Sequence, residues 1–189
     1  MSALQWPAIR KACEVVGKTV VFRDASVADA EFILSLRTDD KKSLYLSTVS
    51  GGIAAQHQWL ERYSFEQGQA YFIIEYQSQA IGTVRLYDAR QNNFCWGSWI
   101  LKDGSPSQIA VESALMVYAY AVDHLGFSAS HFDVRKGNER VWLFHERFGA
   151  RRVGETDLDY LYNLSLEAIR DSQLRYRKFL PNGVTVTNT

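Results

Sequence analysis

The feature that most constrains the fold is a strand, a helix and a second strand in succession between residues 94 and 150. Aromatic and β-branched residues fill positions 94–101, and after a short turn at 102–104 an apolar stretch runs from 105 to 125. This stretch is apolar on more than one face, which is typical of a helix buried against a sheet. Phe132 and Val134 alternate with polar neighbours, which predicts a half-buried second strand. Because a strand, helix, strand crossover joins parallel strands, the two strands should be parallel.

The helix in this frame has a well-specified beginning. Ser105 suits the N-cap, Pro106 suits the first helical position, and Gln108 completes a capping box. A strand that leads directly into an open helix N-terminus brings unpaired amide groups and the positive end of the helix dipole together. The turn after residue 101 is therefore expected to bind an anion, and phosphate is the anion that such a helix start favours.

The segments on both sides of this frame are assigned from their composition and their end signals. Further strands are expected at residues 19–23, 70–76, 80–87, 151–155 and 159–165. Helices are expected at residues 8–16, from 26 to 36, and at 53–67, 138–148 and 165–180, with a loop at 41–52 and a frayed tail at 181–189. Short connections join the strands between residues 70 and 101, which predicts an antiparallel meander.

Length and charge restrict the function. The chain has 189 residues, enough for one domain with a full core and too few for two ordinary ones. It carries 21 Lys and Arg against 21 Asp and Glu, so no excess charge favours nucleic acid or an anionic membrane as the main partner. A small-molecule substrate fits this balance better.

Residues that bind metals or form disulfides are few. Cys13 and Cys95 match no metal spacing, and the four His residues give no ligand pair at helical spacing. The N-terminus lacks the apolar region of a signal peptide, and no segment approaches the roughly 20 apolar residues that span a bilayer. We therefore expect a soluble, cytoplasmic protein without a structural metal.

Four motifs in order carry a resemblance to a known family. They are Ile81-Gly82-Thr83-Val84, Trp96-Gly97-Ser98-Trp99-Ile100, Ala110-Val111-Glu112-Ser113-Ala114-Leu115, and Asn138 followed by Leu143-Phe144-His145-Glu146-Arg147-Phe148-Gly149-Ala150. In their order and spacing the chain resembles the GNAT superfamily of N-acetyltransferases. The resemblance is strongest to the branch that acetylates protein N-terminal amines, such as those of ribosomal proteins, and amino-sugar nucleotides.

The resemblance implies a fold and its bounds. The expected fold is a single-domain α/β (α+β) fold of the GNAT type, with a mixed, mostly antiparallel central sheet and helices on both faces. The acetyltransferase-like domain would span residues 19–165. An N-terminal extension at 1–18 would precede it, and a C-terminal helix with a frayed tail at 166–189 would follow.

The same resemblance implies where acetyl-CoA would bind as a co-substrate. In the family, the strand matching residues 96–101 pairs its backbone with the pantetheine arm, and the next helix start holds the pyrophosphate. Asn138 matches a position near the cofactor, and His145 matches a position where the family commonly has a tyrosine near the thioester sulfur. The implied cofactor-binding residues are Trp99, Ile100, Leu101, Ser105, Ser107, Gln108, Ile109, Ala110, Asn138 and Phe144.

The chain departs from the family pattern in two features. The phosphate loop of the family usually carries two glycines, whereas Pro106 and Gln108 stand at those positions here. Cys95 occupies the position where some relatives have a carboxylate base. The resemblance therefore does not assign the base.

The chemistry of acetyl transfer points to candidate catalytic residues. The reaction needs a neutral amine, stabilisation of a developing oxyanion and a proton for the departing thiolate. His145 is the candidate acid, because imidazole titrates near neutral pH, and its alternative role is core packing. Glu75, Asp88 and Asp133 are the candidate bases, each with a structural role as the alternative, and a water chain is the alternative to all three.

For other residues we expect structural roles. Glu112, in the first turns of the helix, favours the helix dipole. Trp96, Trp99 and Trp142 are expected in the core, with a place in the acceptor pocket as the alternative. Trp59, on the helix at 53–67, is expected to pack at a half-buried position, with ligand contact as its alternative.

The leading hypothesis is an acetyl-CoA-dependent N-acyltransferase that acetylates a primary amine by direct transfer in a ternary complex. Nothing marks a covalent nucleophile, and Cys95 is the only alternative to direct transfer. An amino-sugar nucleotide is favoured over a protein N-terminal amine, because the balanced charge suits no charged polymer. The rival hypothesis is a non-catalytic module of the same fold that binds CoA or another ligand. No nucleic-acid or membrane partner is expected, and a homodimer is left open.

Overall fold

The computed structural model describes residues 5–46 and 50–188. Its strands are β1 (Glu14–Val16), β2 (Val20–Asp24), β3 (Ala70–Tyr76), β4 (Gln79–Arg90), β5 (Asn93–Leu101), β6 (Ala129–Arg135), β7 (Arg151–Glu155), β8 (Asp159–Ser165) and β9 (Thr185–Thr187). Its α-helices are α1 (Ala30–Arg37), α2 (Asp40–Ser43), α3 (Gly52–Phe65), α4 (Ser107–Ala119), α5 (Glu139–Arg147) and α6 (Leu166–Arg175). A 3-10 turn (Val27–Asp29) precedes α1, and a π-helical turn (Tyr120–His124) extends α4.

The strands form one sheet in the order β7-β8-β6-β5-β4-β3-β2-β1-β9. β5 and β6 are parallel, and each other neighbouring pair of described strands is antiparallel. This topology confirms the predicted crossover through α4 and the meander from β3 to β5. The strands predicted at 151–155 and 159–165 pair with each other as β7 and β8. The mixed, mostly antiparallel sheet is also confirmed.

Helices cover both faces of the sheet, as predicted. Successive residues of a strand point to opposite faces. Phe72 therefore belongs to a large cluster that includes the buried residues of α4. Its neighbours Tyr71 and Ile73 belong to a second cluster, with residues of α1 and α3. We call these the α4 face and the α3 face of the sheet.

The helix predicted at residues 8–16 is wrong. Glu14–Val16 form β1, in which the fully buried Val15 lies opposite Phe22 of β2. The Gly17 amide donates to the Val20 carbonyl at 2.9 Å and closes the connection between the two strands. A helix of this length is marginal in water, whereas strand pairing satisfies the backbone of two adjacent β-branched residues.

The C-terminal segment also differs from the prediction. Ser165 is the N-cap of α6 as predicted, and its Oγ accepts from the Ala168 amide at 3.2 Å. The helix ends at Arg175 rather than at residue 180, because Tyr176 and Phe179 pack back against the large cluster. The fraying predicted for residues 181–189 is wrong for β9, which pairs with β1. Both flanking segments thus add strands to the central sheet.

The loop predicted at 41–52 contains one helical turn. α2 begins after Asp39, whose carboxylate accepts from the Lys41 amide at 3.0 Å. This Asp cap stabilises a helical turn that polarity alone does not reveal. Residues 47–49 of the predicted loop lie outside the described part of the chain, as do residues 1–4 and 189.

Two negative findings apply to residues 5–46 and 50–188. No helix there is both long and apolar enough to cross a bilayer. No group of three or more His, Cys, Asp or Glu side chains in that part of the chain is arranged to hold a metal ion.

Glu112 has a different role from the one predicted. Its side chain lies in the core at 2 % exposure, in the middle of α4. It accepts hydrogen bonds from the amides of Thr19 and Val20 at 2.6 and 2.9 Å and from Thr19 Oγ1 at 2.6 Å. The expected interaction with the helix dipole is therefore replaced by a buried link between α4 and the start of β2.

Replacing Glu112 with Ala is expected to lower the free energy of unfolding by about 2 kcal/mol, because the substitution leaves the buried Val20 amide and the partly buried Thr19 amide without their acceptor. Urea unfolding would measure the change. Glu112→Gln keeps one acceptor oxygen and serves as the control, with a smaller loss expected. An Ala variant as stable as the parent would contradict the assigned link.

Candidate active site

β5 contains a bulge that redirects its second half. Gly97 pairs with Arg85 and Ile100 pairs with Thr83, so β5 has one residue more than β4 between these pairs. The extra residue lies at Ser98, whose φ of 47° is in the left-handed region. Thr83 Oγ1 donates to the Ser98 carbonyl at 2.7 Å and holds the bulge. A bulge of this kind increases the local twist and changes the direction of the residues that follow.

β5 and β6 separate beyond the bulge. Their register runs from Asn93 opposite Ala129 to Cys95 opposite His131 and contains no later pair among the described residues. The rest of β6 pairs with β8 alone. The second half of β5 therefore pairs with β4 on one side, and its backbone groups on the β6 side face an opening. An unpaired strand edge of this kind can bind an extended ligand that carries amide groups.

A cavity of about 160 Å³ lies in this opening, and we call it the β5/β6 cavity. Both strands, the segment after α2 and the start of α5 line it. Its polar lining residues are Tyr45, Ser98, Asp133, Arg135, Asn138, His145 and Asp159. A larger cavity of about 780 Å³ lies between the N-terminal segment and the loop after α3, and no residue of β5 or β6 lines it.

The start of α4 lies beside this opening and is one residue later than predicted. Pro106 is the N-cap and Ser107 is the first helical residue. The predicted capping box of Ser105 and Gln108 is wrong, because Ser105 Oγ donates to the Lys102 carbonyl at 2.8 Å. Ser105 closes the turn instead. The first amides of α4 have no earlier helical carbonyl to bond, and residues 106–108 are exposed, so this helix start is accessible to an anion.

His145 lies in the wall of the β5/β6 cavity, in an apolar environment. Its side chain is 5 % exposed, and its ring centroid lies 4.2 Å from that of Phe132 and 5.2 Å from that of Trp96. Its Nδ1 is buried with no partner among the described residues. Burial lowers the pKa of His145 to about 3, so the imidazole is neutral at physiological pH. This environment favours the packing alternative, while the role of acid stays a prediction.

Replacing His145 with Phe is expected to leave turnover close to that of the parent, because a neutral, buried imidazole is a poor proton donor. The melting temperature should be unchanged or higher, since the variant removes a buried nitrogen without a partner. Steady-state turnover and thermal unfolding, measured on the same preparation, test both expectations. A folded variant with a large loss of turnover would restore His145 as the acid.

Asp133 is the one candidate base that lines the β5/β6 cavity. Solvent reaches its side chain, but the surrounding atoms remove part of its hydration, which raises the pKa of Asp133. The charge of Asp159 raises this pKa further, while Arg135 lowers it. Asp159 is itself held by Arg135, with Nε and Oδ1 3.4 Å apart. A carboxylate with a raised pKa accepts a proton more strongly than an ordinary one.

The other two candidate bases lie outside this cavity. Glu75, on β3, accepts from Arg23 Nε at 2.9 Å. Asp88, on β4, is paired with Arg90 at 2.6 Å and with His131 at 3.2 Å, and these hydrogen bonds lower the pKa of Asp88. Their role as bases stays a prediction, but the ion pairs give each carboxylate a structural function.

Cys95 is a poor nucleophile in this environment. The side chain is 4 % exposed, and burial raises the pKa of its thiol to about 11. Tyr87 lies opposite Cys95 on β4. Because the thiolate is the nucleophilic form of cysteine, a thiol with a raised pKa is largely inactive at neutral pH.

Aromatic packing fixes the part of β5 that is predicted to bind the cofactor. Trp99 Nε1 donates to Ser113 Oγ of α4 at 3.1 Å, and the Trp99 ring lies 5.0 Å from that of Phe144. Ile100 and Leu101 continue the strand and pair with Thr83 and Gly82. The edge of β5 is thereby held against both α4 and β4.

The remaining predicted cofactor residues lie at two helix starts. Ser107, Gln108 and Ala110 are in the accessible first turn of α4, whereas the side chain of Ile109 is fully buried and leaves only its backbone available. Asn138 is the N-cap of α5 and lines the β5/β6 cavity. Of the predicted set, Trp99 and Asn138 line the β5/β6 cavity, and the cofactor contacts of all ten residues stay predictions.

Ser98, Tyr45 and Asp159 are among the residues of the β5/β6 cavity that sequence reasoning missed. Ser98 had a local signal, because Gly97 inside a strand pattern is typical of a bulge. Tyr45 and Asp159 come from the segment after α2 and from the start of β8. No local pattern identifies them, since only the tertiary fold brings these distant segments to β5 and β6.

The arrangement fits an acyl-CoA. The unpaired edge of β5 offers backbone partners to the amide groups of a pantetheine arm, and the start of α4 offers amides to phosphates. The apolar wall with its unpartnered His145 Nδ1 bounds the small space between the strands. That space suits an acetyl group.

Comparison with known proteins supplies an independent finding. Residues 19–151 match the family model of the acetyltransferase (GNAT) domain. The apo form of FdhC, a nucleotide-linked sugar GNAT, is 39% identical, with a TM-score of 0.78, over 88% of this chain and 98% of that chain. A search among curated protein sequences gave no match.

More distant solved structures share the fold. A GCN5-related N-acetyltransferase from Brucella melitensis is 14% identical, with a TM-score of 0.77, over 94% of this chain and 90% of that chain. A GNAT-family acetyltransferase from Bacillus anthracis is 14% identical, with a TM-score of 0.69, over 82% of this chain and 99% of that chain. At these identities the likeness concerns the fold alone.

Proposed function

This chain belongs to the GNAT family of acetyltransferases, and from that premise we propose that it transfers an acetyl group from acetyl-CoA to the primary amine of a nucleotide-linked amino sugar. The observation that carries the proposal is the separation of β5 from β6 beside the start of α4. The choice of acceptor is supported by the 39% identity to a nucleotide-linked sugar GNAT. A protein N-terminal amine is the alternative acceptor.

The donor would bind along β5. The backbone edge of residues 96–101 would bond the amide groups of the pantetheine arm, and the first amides of α4 would bond the phosphates. When bound, acetyl-CoA supplies a thioester as the acetyl source. The aromatic wall of Trp96, Trp99 and His145 would exclude water from the acetyl group.

Asp133 would act as the general base. It would take the proton from the acceptor amine as the amine nitrogen bonds to the thioester carbon and the carbon–sulfur bond breaks. A free amide of the β5 edge would stabilise the developing oxyanion. A thiol has a pKa of roughly 8.5, so the departing thiolate is a good leaving group and takes its proton from solvent.

The experiment that tests the proposal is a product assay. The protein is incubated with acetyl-CoA and a panel of nucleotide-linked amino sugars and N-terminal peptides, and mass spectrometry detects acetylated acceptor. We expect a gain of one acetyl group on an amino-sugar nucleotide, with one thiol released per product. Acetylation of the peptides alone would reassign the acceptor.

The rival function is a binding module of the same fold without turnover. It is motivated by Pro106 and Gln108, which stand at the exposed start of α4 where the family usually has glycines. Saturable binding of acetyl-CoA in calorimetry, with no product from any amine of the panel, would favour this rival.

Replacing Cys95 with Ala is expected to preserve turnover, because direct transfer requires no thiolate. The comparison uses kcat and the dissociation constant of acetyl-CoA for both proteins. A variant that binds acetyl-CoA normally but has no turnover would overturn direct transfer and indicate an acyl-cysteine.

A further inference from the structure

A second cavity lies on the α3 face of the sheet, the face opposite α4. It measures about 480 Å³ and is bounded by α1, α3 and strands β3 to β5. This volume falls in the range of about 300–1,000 Å³ that is usual for small-molecule sites. Arg37, Arg62 and Arg85 line it, and no acidic residue is among its described lining residues. We call it the arginine cavity.

The described lining of this cavity differs in charge from the chain as a whole. The sequence balances 21 basic with 21 acidic residues. Arg62 and Arg85 therefore place positive charge at this cavity, and no acidic residue is in its described lining. Guanidinium groups bind phosphate through two parallel hydrogen bonds, so a cluster of this kind favours phosphate or diphosphate.

Arg85 is held rigidly at this cavity. Its Nε donates to Gln69 Oε1 at 2.8 Å, and its guanidinium lies over the rings of Trp59 and Tyr87, at 5.1 and 4.8 Å from their centroids. No protein acceptor of the described residues bonds its terminal nitrogens. Half-buried arginines are normally paired, because desolvating an unpaired charge lowers stability. The terminal nitrogens of Arg85 are thus available to an anion that the described residues do not supply.

The side chain of Gln69 lies between the carboxylate of Glu66 and the guanidinium of Arg85. Gln69 Nε2 donates to Glu66, while Gln69 Oε1 accepts from Arg85. The amide therefore separates the carboxylate from the guanidinium. Tyr71 Oη is also buried at this cavity, where Thr83 and Arg37 are its polar neighbours.

The arginine cavity adjoins the β5/β6 cavity at the bulge. Ser98 lines both cavities. Tyr87 lines the arginine cavity, and its hydroxyl lies 3.1 Å from the position that a Cβ on Gly97 would occupy. A ligand held by the arginines would therefore reach the opening between the strands from the α3 face.

We propose that the arginine cavity binds the diphosphate of the acceptor and presents the amino sugar to the β5/β6 cavity at Ser98. This assignment rests on the proposed function and deepens it, because it gives the nucleotide-linked part of the acceptor its own site. The phosphates of the donor are excluded from this cavity, since the start of α4 packs on the opposite face. Arg62, exposed on the last turn of α3, and Arg85 are the specificity residues.

Binding of nucleoside diphosphates tests the assignment without requiring turnover. UDP, dTDP, GDP and CDP are titrated into the full chain by calorimetry, with and without saturating acetyl-CoA. At least one of the four should bind, and acetyl-CoA should not displace it. Arg62→Gln and Arg85→Gln should each weaken that binding about 10- to 100-fold, because each removes a charge-assisted hydrogen bond.

Arg177→Gln is the matched control, since Arg177 is exposed after α6 and its replacement removes the same charge. It should leave nucleoside diphosphate binding unchanged. All three variants should bind acetyl-CoA with the affinity of the parent. Melting temperatures show whether the Arg85→Gln variant, changed at a half-buried position, still folds. If it does not, the diphosphate affinity of Arg62→Gln tests the assignment.

The outcomes separate this assignment from the proposed function. Three results would each overturn this assignment and leave the proposed function standing. They are unchanged diphosphate binding in Arg62→Gln, competition between the diphosphate and acetyl-CoA, and no binding of any of the four diphosphates by a protein that binds acetyl-CoA. Failure to bind acetyl-CoA, with arginine-dependent binding of a diphosphate, would overturn acetyl transfer and keep the anion site.

Discussion

Asp133→Asn is expected to lower kcat by about 10²–10⁴-fold, the usual contribution of a general base, while the affinity for acetyl-CoA stays that of the parent. The amide cannot take the proton from the acceptor amine. It keeps the shape of the carboxylate, so the β5/β6 cavity should remain intact. Steady-state kinetics with the acceptor identified by the product assay measure kcat, and calorimetry measures the binding of acetyl-CoA.

The pH dependence of kcat/KM provides a second test of Asp133 as the base. Asp133 must be ionised to act, and burial and Asp159 raise its pKa, so kcat/KM should fall as pH decreases through that raised value. Asp159→Asn removes the repulsion and should move this acidic limb to lower pH. Asp133→Asn should abolish the limb.

Stability distinguishes a base from a structural carboxylate. Because folding raises the pKa of Asp133, its ionised form lowers stability at pH values above that pKa. Asp133→Asn should therefore melt at the same temperature as the parent, or higher, at neutral pH. Asp88→Asn, in which an ion-paired carboxylate outside the cavity is changed, is the control and should retain turnover. Full activity in Asp133→Asn would exclude Asp133 as the base.

Gly82→Ala is expected to damage the donor site through the backbone. A Cβ on Gly82 would lie 2.3 Å from the Ile100 carbonyl oxygen and 2.8 Å from Leu101 Cδ2. A backbone atom cannot rotate away, so β5 must shift from β4, at a cost of about 1–3 kcal/mol for overpacking. Because the displaced residues form the proposed donor edge, the affinity for acetyl-CoA should fall together with stability.

Gly154→Ala is the matched control for this substitution. Gly154 is also a strand glycine, but a Cβ there would meet Leu161 Cδ1 at an ordinary 3.5 Å. It should leave both acetyl-CoA binding and unfolding near those of the parent. Normal acetyl-CoA binding in Gly82→Ala would show that β5 does not hold the donor.

The frame of the fold was predictable because its signals are local or follow from chain geometry. The alternation at Phe132 and Val134 and the length of the apolar stretch after residue 105 were enough to predict a crossover, and β5 and β6 are indeed parallel. The errors came from competing partners. Ser105 suits an N-cap, but the Lys102 carbonyl accepts from its hydroxyl. β1 forms because it pairs with β2, which follows it directly, and with the distant β9.

The sequence named Trp99, Asn138 and His145, which line the β5/β6 cavity, but it did not reveal the electrostatics of that cavity. His145 lies on the wall of the β5/β6 cavity, and the aromatic rings that bury it come from two other elements, β5 and β6. The sequence offered Glu75, Asp88 and Asp133 as equals. They differ because Arg23 and Arg90 pair with the first two, and because only Asp133 faces the opening between the strands.

The central claim is that the opening between β5 and β6 holds the acyl donor, and calorimetric titration of the full chain with acetyl-CoA tests it most directly. The account predicts saturable binding at one site, weakened in Gly82→Ala and unchanged in Gly154→Ala. No detectable binding at millimolar acetyl-CoA would contradict it.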